Sequence, residues 1–311
     1  TVTGIEQVFG TQVNDTIVGN SSNNVLDGQN GDDILDGQGG NDLIVGGAGI
    51  DVINGGAGND TIAGGLDGDI VNGGSGDDTV VINDGEFIDT VDGGSGFDTL
   101  DLSTIVTPSE AVFIDLSTNT FTGFGGTTTV TGIEQVFGTQ VNDTIVGNSS
   151  NNVLDGQNGD DILDGQGGND IVLGGAGNDL VIGGVGNDFL NGTSFLAGGS
   201  GEIDSLISGD MGDQDIFVLG ERQGIVGKVF YSDFGDSDYA VIEDFDLSSF
   251  AGDIVDTIQL LGSAADYSIS NVTIDGILSA GISFSNDLIG VVKGVNASSL
   301  NLNDSQQFTF V

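Results

Sequence analysis

The sequence predicts an all-β chain: two stacks of short coils, each closing two parallel sheets around a thin aliphatic core, joined by a β spacer and followed by an antiparallel, sandwich-like β cap. Three observations lead there. A nine-residue pattern of Gly, one acid and one aliphatic runs without a gap from Gly10 to Val81 and resumes at Gly138. Residues 1–42 are identical to 129–170, so a 128-residue unit is duplicated. After Gly220 the glycine period stops and alternating apolar stretches take over, as in 239–263 and 276–295.

The first stack, 1–101, holds eight contiguous units and, after an interruption, a ninth at 93–101. The eighth position of each unit is aliphatic: Ile17, Leu26, Leu35, Ile44, Ile53, Ile62, Val71 and Val80. Its neighbours at positions 7 and 9 are mostly polar or small. One inward side chain between two outward ones describes a three-residue strand. Gly at positions 1, 2 and 4 suits a tight loop with positive φ. Each unit is therefore a half-turn, and two units make an 18-residue coil. Residues 102–137 form the β spacer. The second stack, 138–219, repeats the aliphatic phase at Ile145, Leu154, Leu163, Val172, Val181 and Leu190, then loosens into units at 198–207 and 209–218. Residues 220–311 make the cap. Asp67 replaces Gly at position 4 of its unit, so that turn is expected to be distorted.

One buried aliphatic per nine residues is too little to offset the entropy of ordering the backbone around it. Position 6 supplies a remedy. It carries Asp15, Asp33, Asp42, Asp51, Asp60, Asp69, Asp78 and Asp98 in the first stack, and Asp143, Asp161, Asp170, Asp179, Asp188, Asp204 and Asp215 in the second, with Asn24 and Asn152 as exceptions. Coiling would set these acids above one another. A Ca²⁺ between loops two units apart, held by two Asp carboxylates and the carbonyls that the glycines expose, relieves their repulsion with the oxygen ligands this ion prefers. Roughly ten such sites at ten times their dissociation constant would add about 14 kcal/mol, as much as a whole domain's stability. Folding is expected to depend on calcium. Acids off the phase, such as Asp236, Asp238, Asp244 and Asp246, are read as solvated.

The overall charge agrees. There are 48 acids against 3 bases, a formal net charge of −45, and residues 1–221 contain no Lys, Arg or His. This argues against nucleic acid and anionic membranes as partners, and no apolar run is long enough to span a bilayer. Without His or Cys there is no catalytic triad, thiolate nucleophile or zinc helix, so no enzyme activity is expected of these residues.

"GGAGNDTIA", "GGAGIDVIN" and "GGAGNDLVI" resemble the RTX (repeats-in-toxin) or hemolysin-type calcium-binding nonapeptide GGxGxDxUx, and the likeness covers about residues 10–218. It implies two parallel β-rolls, Ca²⁺ on the position-6 Asp residues and loop carbonyls, type I secretion, and folding outside the cell. The segment "VIEDFD…DTIQL" is similar to the one that closes such rolls in secreted proteases, and the tail "NDSQQFTFV" to sequences read by type I exporters. The expectation is a calcium-binding structural or adhesive protein of a bacterial surface or matrix. The unpaired edge at 1–9 is open to head-to-tail self-association. The alternative is a calcium-dependent folding and export tail of a larger secreted enzyme or toxin.

Overall fold

The computed structural model describes residues 6–82, 90–105, 111–124, 126–193, 203–209, 214–223, 226–229, 239–245, 247, 256–285 and 287–311. Of the acids read as solvated, Asp244 is exposed, and Asp236, Asp238 and Asp246 lie outside the described residues. All regular structure among these residues is β, apart from two single 3₁₀ turns. Among the described residues no helix is long and apolar enough to cross a membrane. The chain forms two compact units, 1–140 and 141–311.

In the first unit, alternate half-turns feed alternate sheets. One sheet runs Gln7–Phe9, Val25–Asn30, Leu43–Ala48, Thr61–Leu66, Thr79–Val81, Thr99–Asp101, Gln135–Phe137, parallel throughout. The other runs Thr16–Asn20, Ile34–Gln38, Val52–Ala57, Ile70–Ser75, Thr90–Ser95, Gly126–Thr131, also parallel. The antiparallel strands Thr120–Gly123 and Phe113–Asp115 then complete it. Regular neighbours are 18 residues apart, as in Leu26↔Ile44 and Ile62↔Val80. The core is one file of position-8 aliphatics per sheet, and Leu26, Ile44, Ile62, Val80, Leu100 and Val136 are wholly buried.

The second unit repeats the plan from Thr144–Val146 and Val153–Asp155 onward. Its parallel ladders continue past the last glycine-rich unit. Leu206 is followed by Ile242 and Val292 in one file, Phe217 by Ile258 and Phe308 in the other. Antiparallel pairing follows, where Tyr267–Ile274, Ile277–Phe284 and Asp287–Val292 form a meander.

Two details of the loops show how coils lock together. First, the side chain at position 5 forms a ladder of its own. Asn23 Oδ1 accepts the Asn41 N–H at 2.9 Å, Asn41 Oδ1 the Asn59 N–H at 3.1 Å, Asn59 Oδ1 the Asp77 N–H at 3.1 Å, and Asp77 Oδ1 the Phe97 N–H at 2.9 Å. Asn142, Asp160 and Asn178 continue the pattern in the second unit. Each bond ties a loop N–H to the neighbouring coil at an exposed position. Second, the expected distortion at Asp67 does not occur. Asp67 takes φ of +78°, the left-handed conformation that an Asp tolerates better than most residues. The strands Thr61–Leu66 and Ile70–Ser75 on either side stay in register.

Ile50 breaks the position-5 ladder. Its N–H is taken by Asp32 Oδ1 at 3.1 Å, but its exposed aliphatic side chain offers no acceptor to the next coil. Ile50→Asn is expected to stabilise the calcium-loaded protein by about 0.5–1 kcal/mol, read as a raised midpoint in urea. An unchanged or lowered midpoint would show that the ladder contributes nothing.

Candidate metal centre

Each half-turn delivers its position-6 acid to the same place. Gly at position 1 leaves the strand, the loop reverses, and the acid sits two residues before the next inward aliphatic, as Asp60 does before Ile62. The aliphatic fixes the register, so the acid is carried indoors with it. Asp33, Asp42, Asp51, Asp60, Asp69, Asp78 and Asp98 are all buried, and so are Asp143, Asp161, Asp170, Asp179, Asp188, Asp204 and Asp215. Asp15, on the outermost coil, is half-buried, and its Oδ2 accepts from the Thr11 N–H at 2.6 Å and the Thr11 hydroxyl at 2.9 Å.

The buried acids stand in two rows per unit. Oδ1 of each accepts the backbone N–H of the position-6 residue one coil earlier: Asp33 from Asp15, Asp51 from Asp33 and Asp69 from Asp51, all at 2.7 Å. The other row of the first unit runs Asn24, Asp42, Asp60, Asp78, Asp98 at 2.7–2.8 Å. In the second unit Asp143, Asp161, Asp179 and Asp204 form one row. Asn152, Asp170, Asp188 and Asp215 form the other. Asp204 and Asp215 belong to irregular units, yet they take regular places.

The structure adds two acids: Glu134, which stands on the nine-residue phase nine residues before Asp143, and Asp256, which lies off it. Glu134 Oε2 accepts the Asp98 N–H at 2.9 Å, and Asp256 Oδ1 the Asp215 N–H at 3.1 Å. Their signal is the short phrase acid-x-aliphatic, Glu134-Gln-Val136 and Asp256-Thr-Ile258, each preceded by only one glycine of the repeat, Gly132 and Gly252.

The second oxygen of the carboxylate is the informative one. Oδ2 of Asp33, Asp42, Asp51, Asp60, Asp78, Asp98, Asp161 and Asp170 is buried with no hydrogen-bond partner. A buried carboxylate oxygen without a donor is costly. Backbone carbonyls converge beside it. A Cβ on Gly55 would meet Asp60 Oδ2 and the Gly73 carbonyl oxygen, each at 2.5 Å. One on Gly73 would meet Asp78 Oδ2 and the Gly93 carbonyl, and one on Gly165 Asp170 Oδ2 and the Gly183 carbonyl, again each at 2.5 Å. Glycine at position 1 thus keeps open a cradle whose walls are carboxylate and carbonyl oxygens. The donor set suits a hard, oxygen-seeking cation such as Ca²⁺. Among the described residues no group of three acidic side chains gathers, so an ion here would take one or two carboxylates and complete its shell with carbonyls.

Protein cations cannot do this work in the first unit, which contains no Lys, Arg or His. In the second, Lys293 is engaged with Glu243 at 2.8 Å and Asp275 at 3.8 Å. Burial consequently pushes the acids up. Asp51 and Asp78 rise to about 6, Asp170 to about 7 and Asp161 to about 9. The accepted N–H pulls each down, and neighbouring acids push it up again.

Comparison with known proteins places the pattern. The RTX calcium-binding nonapeptide repeat family matches residues 9–44, 45–80, 83–102, 137–172 and 165–195. The chain is an RTX repeat protein. Its all-β architecture of parallel sheets is the β-roll that the repeat predicts, and RTX repeats bind calcium. No curated protein matches the chain. Among solved structures it is similar to extracellular lipase LipA from Serratia marcescens at 18% identity and a TM-score of 0.23. The match covers 100% of this chain and 40% of the lipase, too loose a likeness to carry an argument.

Two outcomes follow from this geometry. Gly55→Ala should abolish calcium binding at its own loop and lower the number of ions bound, read by calorimetric titration. The same change at Gly276, where a Cβ meets nothing within 4 Å but the φ of +79° adds backbone strain, should lower stability slightly and leave the number of ions bound unchanged. The pH dependence of the calcium-free protein has a definite sign. Raised acids bind more protons folded than unfolded, so their effect favours the fold at low pH and is lost as pH rises through about 6 to 9. In chelator the far-ultraviolet β signal should be stronger at pH 5 than at pH 8, where the chain stays open, and calcium binding near neutral pH should release protons. An equal signal at both values would show that protonating the acids does not substitute for the ion.

Proposed function

We propose that the protein is a secreted, calcium-binding structural or adhesive component of a bacterial surface or extracellular matrix, and that it folds on meeting extracellular Ca²⁺. The observation behind this reading is the file of buried carboxylates in a segment with no cationic side chain of its own. The ligands proposed are Oδ2 of the position-6 aspartates together with carbonyls of the position-1 glycines one coil on. Glu134 and Asp256 close the rows. Asn24 and Asn152 mark weaker sites, because an amide brings no charge to the ion.

Conditional folding suits export. In a low-calcium cytosol the acids repel and the chain stays open for passage through a type I exporter; outside, millimolar calcium draws the coils together. The reading assigns no catalysis to these residues. Repeated 128-residue units serve instead as building blocks, with an end that accepts another copy.

Sedimentation velocity in chelator and then in millimolar Ca²⁺ tests this on one sample. A slow, expanded species should become compact, and far-ultraviolet circular dichroism should gain β signal in parallel. A ladder of larger species would add assembly to folding. An unchanged profile would remove calcium from the folding reaction and with it this function.

A further inference from the structure

The chain contains the same segment twice, in two different surroundings. Residues 6–12 and 134–140 both read EQVFGTQ. In the second copy, strand Gln135–Phe137 lies beside Thr99–Asp101, with Thr99 opposite Gln135, Leu100 opposite Val136 and Asp101 opposite Phe137. In the first copy, Gln7–Phe9 pairs with Val25–Asp27 on one side, and among the described residues no strand lies on the other. Burial follows. Val136 and Thr139 are 0% and 1% exposed, whereas Val8 is half-buried, Thr11 exposed and Phe9 57% exposed.

The second copy shows what this surface fits. Asp98 N–H donates to Glu134 Oε2 at 2.9 Å, and the Glu134 and Gln135 N–H groups donate to the Asp98 carbonyl at 3.0 and 2.9 Å. The Thr99 hydroxyl donates to Gln135 Oε1 at 3.1 Å, Leu102 N–H to the Phe137 carbonyl at 3.0 Å, and Gln140 Nε2 to the Ser103 carbonyl at 3.2 Å. Three of these six bonds use the side chains of Glu134, Gln135 and Gln140. Their counterparts Glu6, Gln7 and Gln12 are all exposed, and Gln12 already bonds Gln29 and Asn30 of the next coil. A generic strand would satisfy the backbone of this edge but not the side chains of Glu6 and Gln7.

We infer that the Glu6–Gln12 edge is a docking site for a second copy of the 128-residue unit, which seats its Asp98–Ser103 segment there in the register seen internally. The inference rests on the calcium-folded roll proposed above and names the partner of its open end. Docking also continues the acid row, since Glu6 would receive the N–H of the incoming Asp98 as Glu134 does within the chain.

The test uses a chain extended by a second copy of residues 1–128 ahead of Thr1, which reproduces the native junction between Thr128 and Thr129. The protein has no cysteine, so Thr11→Cys and Thr139→Cys each give a single thiol. In millimolar Ca²⁺, T11C of the unextended chain should label rapidly. In the extended chain the same thiol should slow by about 100-fold, the scale of protection that stable local structure confers, to the rate of T139C. Fast labelling in both chains, with T139C protected, would overturn the docking while leaving the calcium-folded roll intact. A reactive T139C in calcium would overturn the folded roll itself. Phe9→Pro removes an outward N–H from a strand that is otherwise paired on its inner side only. In the extended chain it should restore fast labelling of T11C without exposing T139C, and continued protection would count against edge pairing.

Discussion

Like charges held in register and buried, in a first unit without any Lys, Arg or His to pair with them, are the constraint on which this structure depends. Coiling at 18 residues per turn is dictated by the inward aliphatics, and the same coiling stacks every position-6 carboxylate over the next. Nothing in the first unit can neutralise that file, because its sequence lacks Lys, Arg and His. Partial relief comes from the backbone: each Oδ1 takes an N–H from the coil before. The second oxygen of Asp33, Asp42, Asp51, Asp60, Asp78, Asp98, Asp161 and Asp170 has no donor and calls for a cation or a proton. The fold is therefore coupled by its own geometry to an external ion, and the raised acids of the metal-free state express the same fact on the proton side.

Glycine has two separable tasks here. At position 4 it supplies positive φ, for example +128° at Gly58 and +122° at Gly76, and Asp67 shows that the conformation, rather than the glycine, is what the loop requires. At position 1 the issue is space, since a side chain on Gly55 would displace the acid and carbonyl oxygens of the cradle. Gln29 and Gln38 make a further distinction at position 2. Both have positive φ, at 75° and 70°, and Asp27 and Asp36 hold their N–H groups at 3.1 and 3.2 Å. One coil later Gly47 and Gly56 occupy the same place, where a Cβ would strike the Gln29 and Gln38 carbonyls. Side chains are admitted at the first coils and excluded once a positive-φ loop lies beneath.

How much of this was readable beforehand depends on whether a feature repeats at nine residues. Asp60 and Ile62 declare their roles because their counterparts recur in phase, and the aliphatic file gave the parallel sheets directly. Glu134 stands in phase, nine residues before Asp143, but lacks the glycines of positions 1 and 2, while a long insertion sets Asp256 41 residues from its row partner, which breaks the count. The structure shows that such insertions leave the ladder unbroken so long as an acid-x-aliphatic phrase resumes it. The sheets themselves need only an inward apolar residue in register, and they continue past residue 219 through Ile242, Ile258 and Phe308, of which only Ile258 follows an acid two residues earlier. Position 5 was visible as a run of Asn and Asp but reads as a solvated loop position until the coil spacing is known. A hydrogen bond between residues 18 apart has no local signature.

The two side-chain ladders run in opposite senses, and that has consequences for order of assembly. Position 5 of one coil serves the N–H of the coil after it, as Asn41 serves Asn59, while position 6 serves the coil before, as Asp60 serves Asp42. Interior coils are thus held from both sides by acceptors at positions 5 and 6, except where a residue such as Ile50 offers none, and a terminal coil keeps only half of each set. Asp15 illustrates the deficit, turning its Oδ2 onto its own loop at Thr11. Stability in such a stack resides in the contacts between coils more than within them, so each added coil meets a surface already arranged to receive it, and the cost of an end is the same whatever the length. Doubling the 128-residue unit therefore dilutes that cost over more calcium-bearing coils, a physical advantage to duplication that requires no new site.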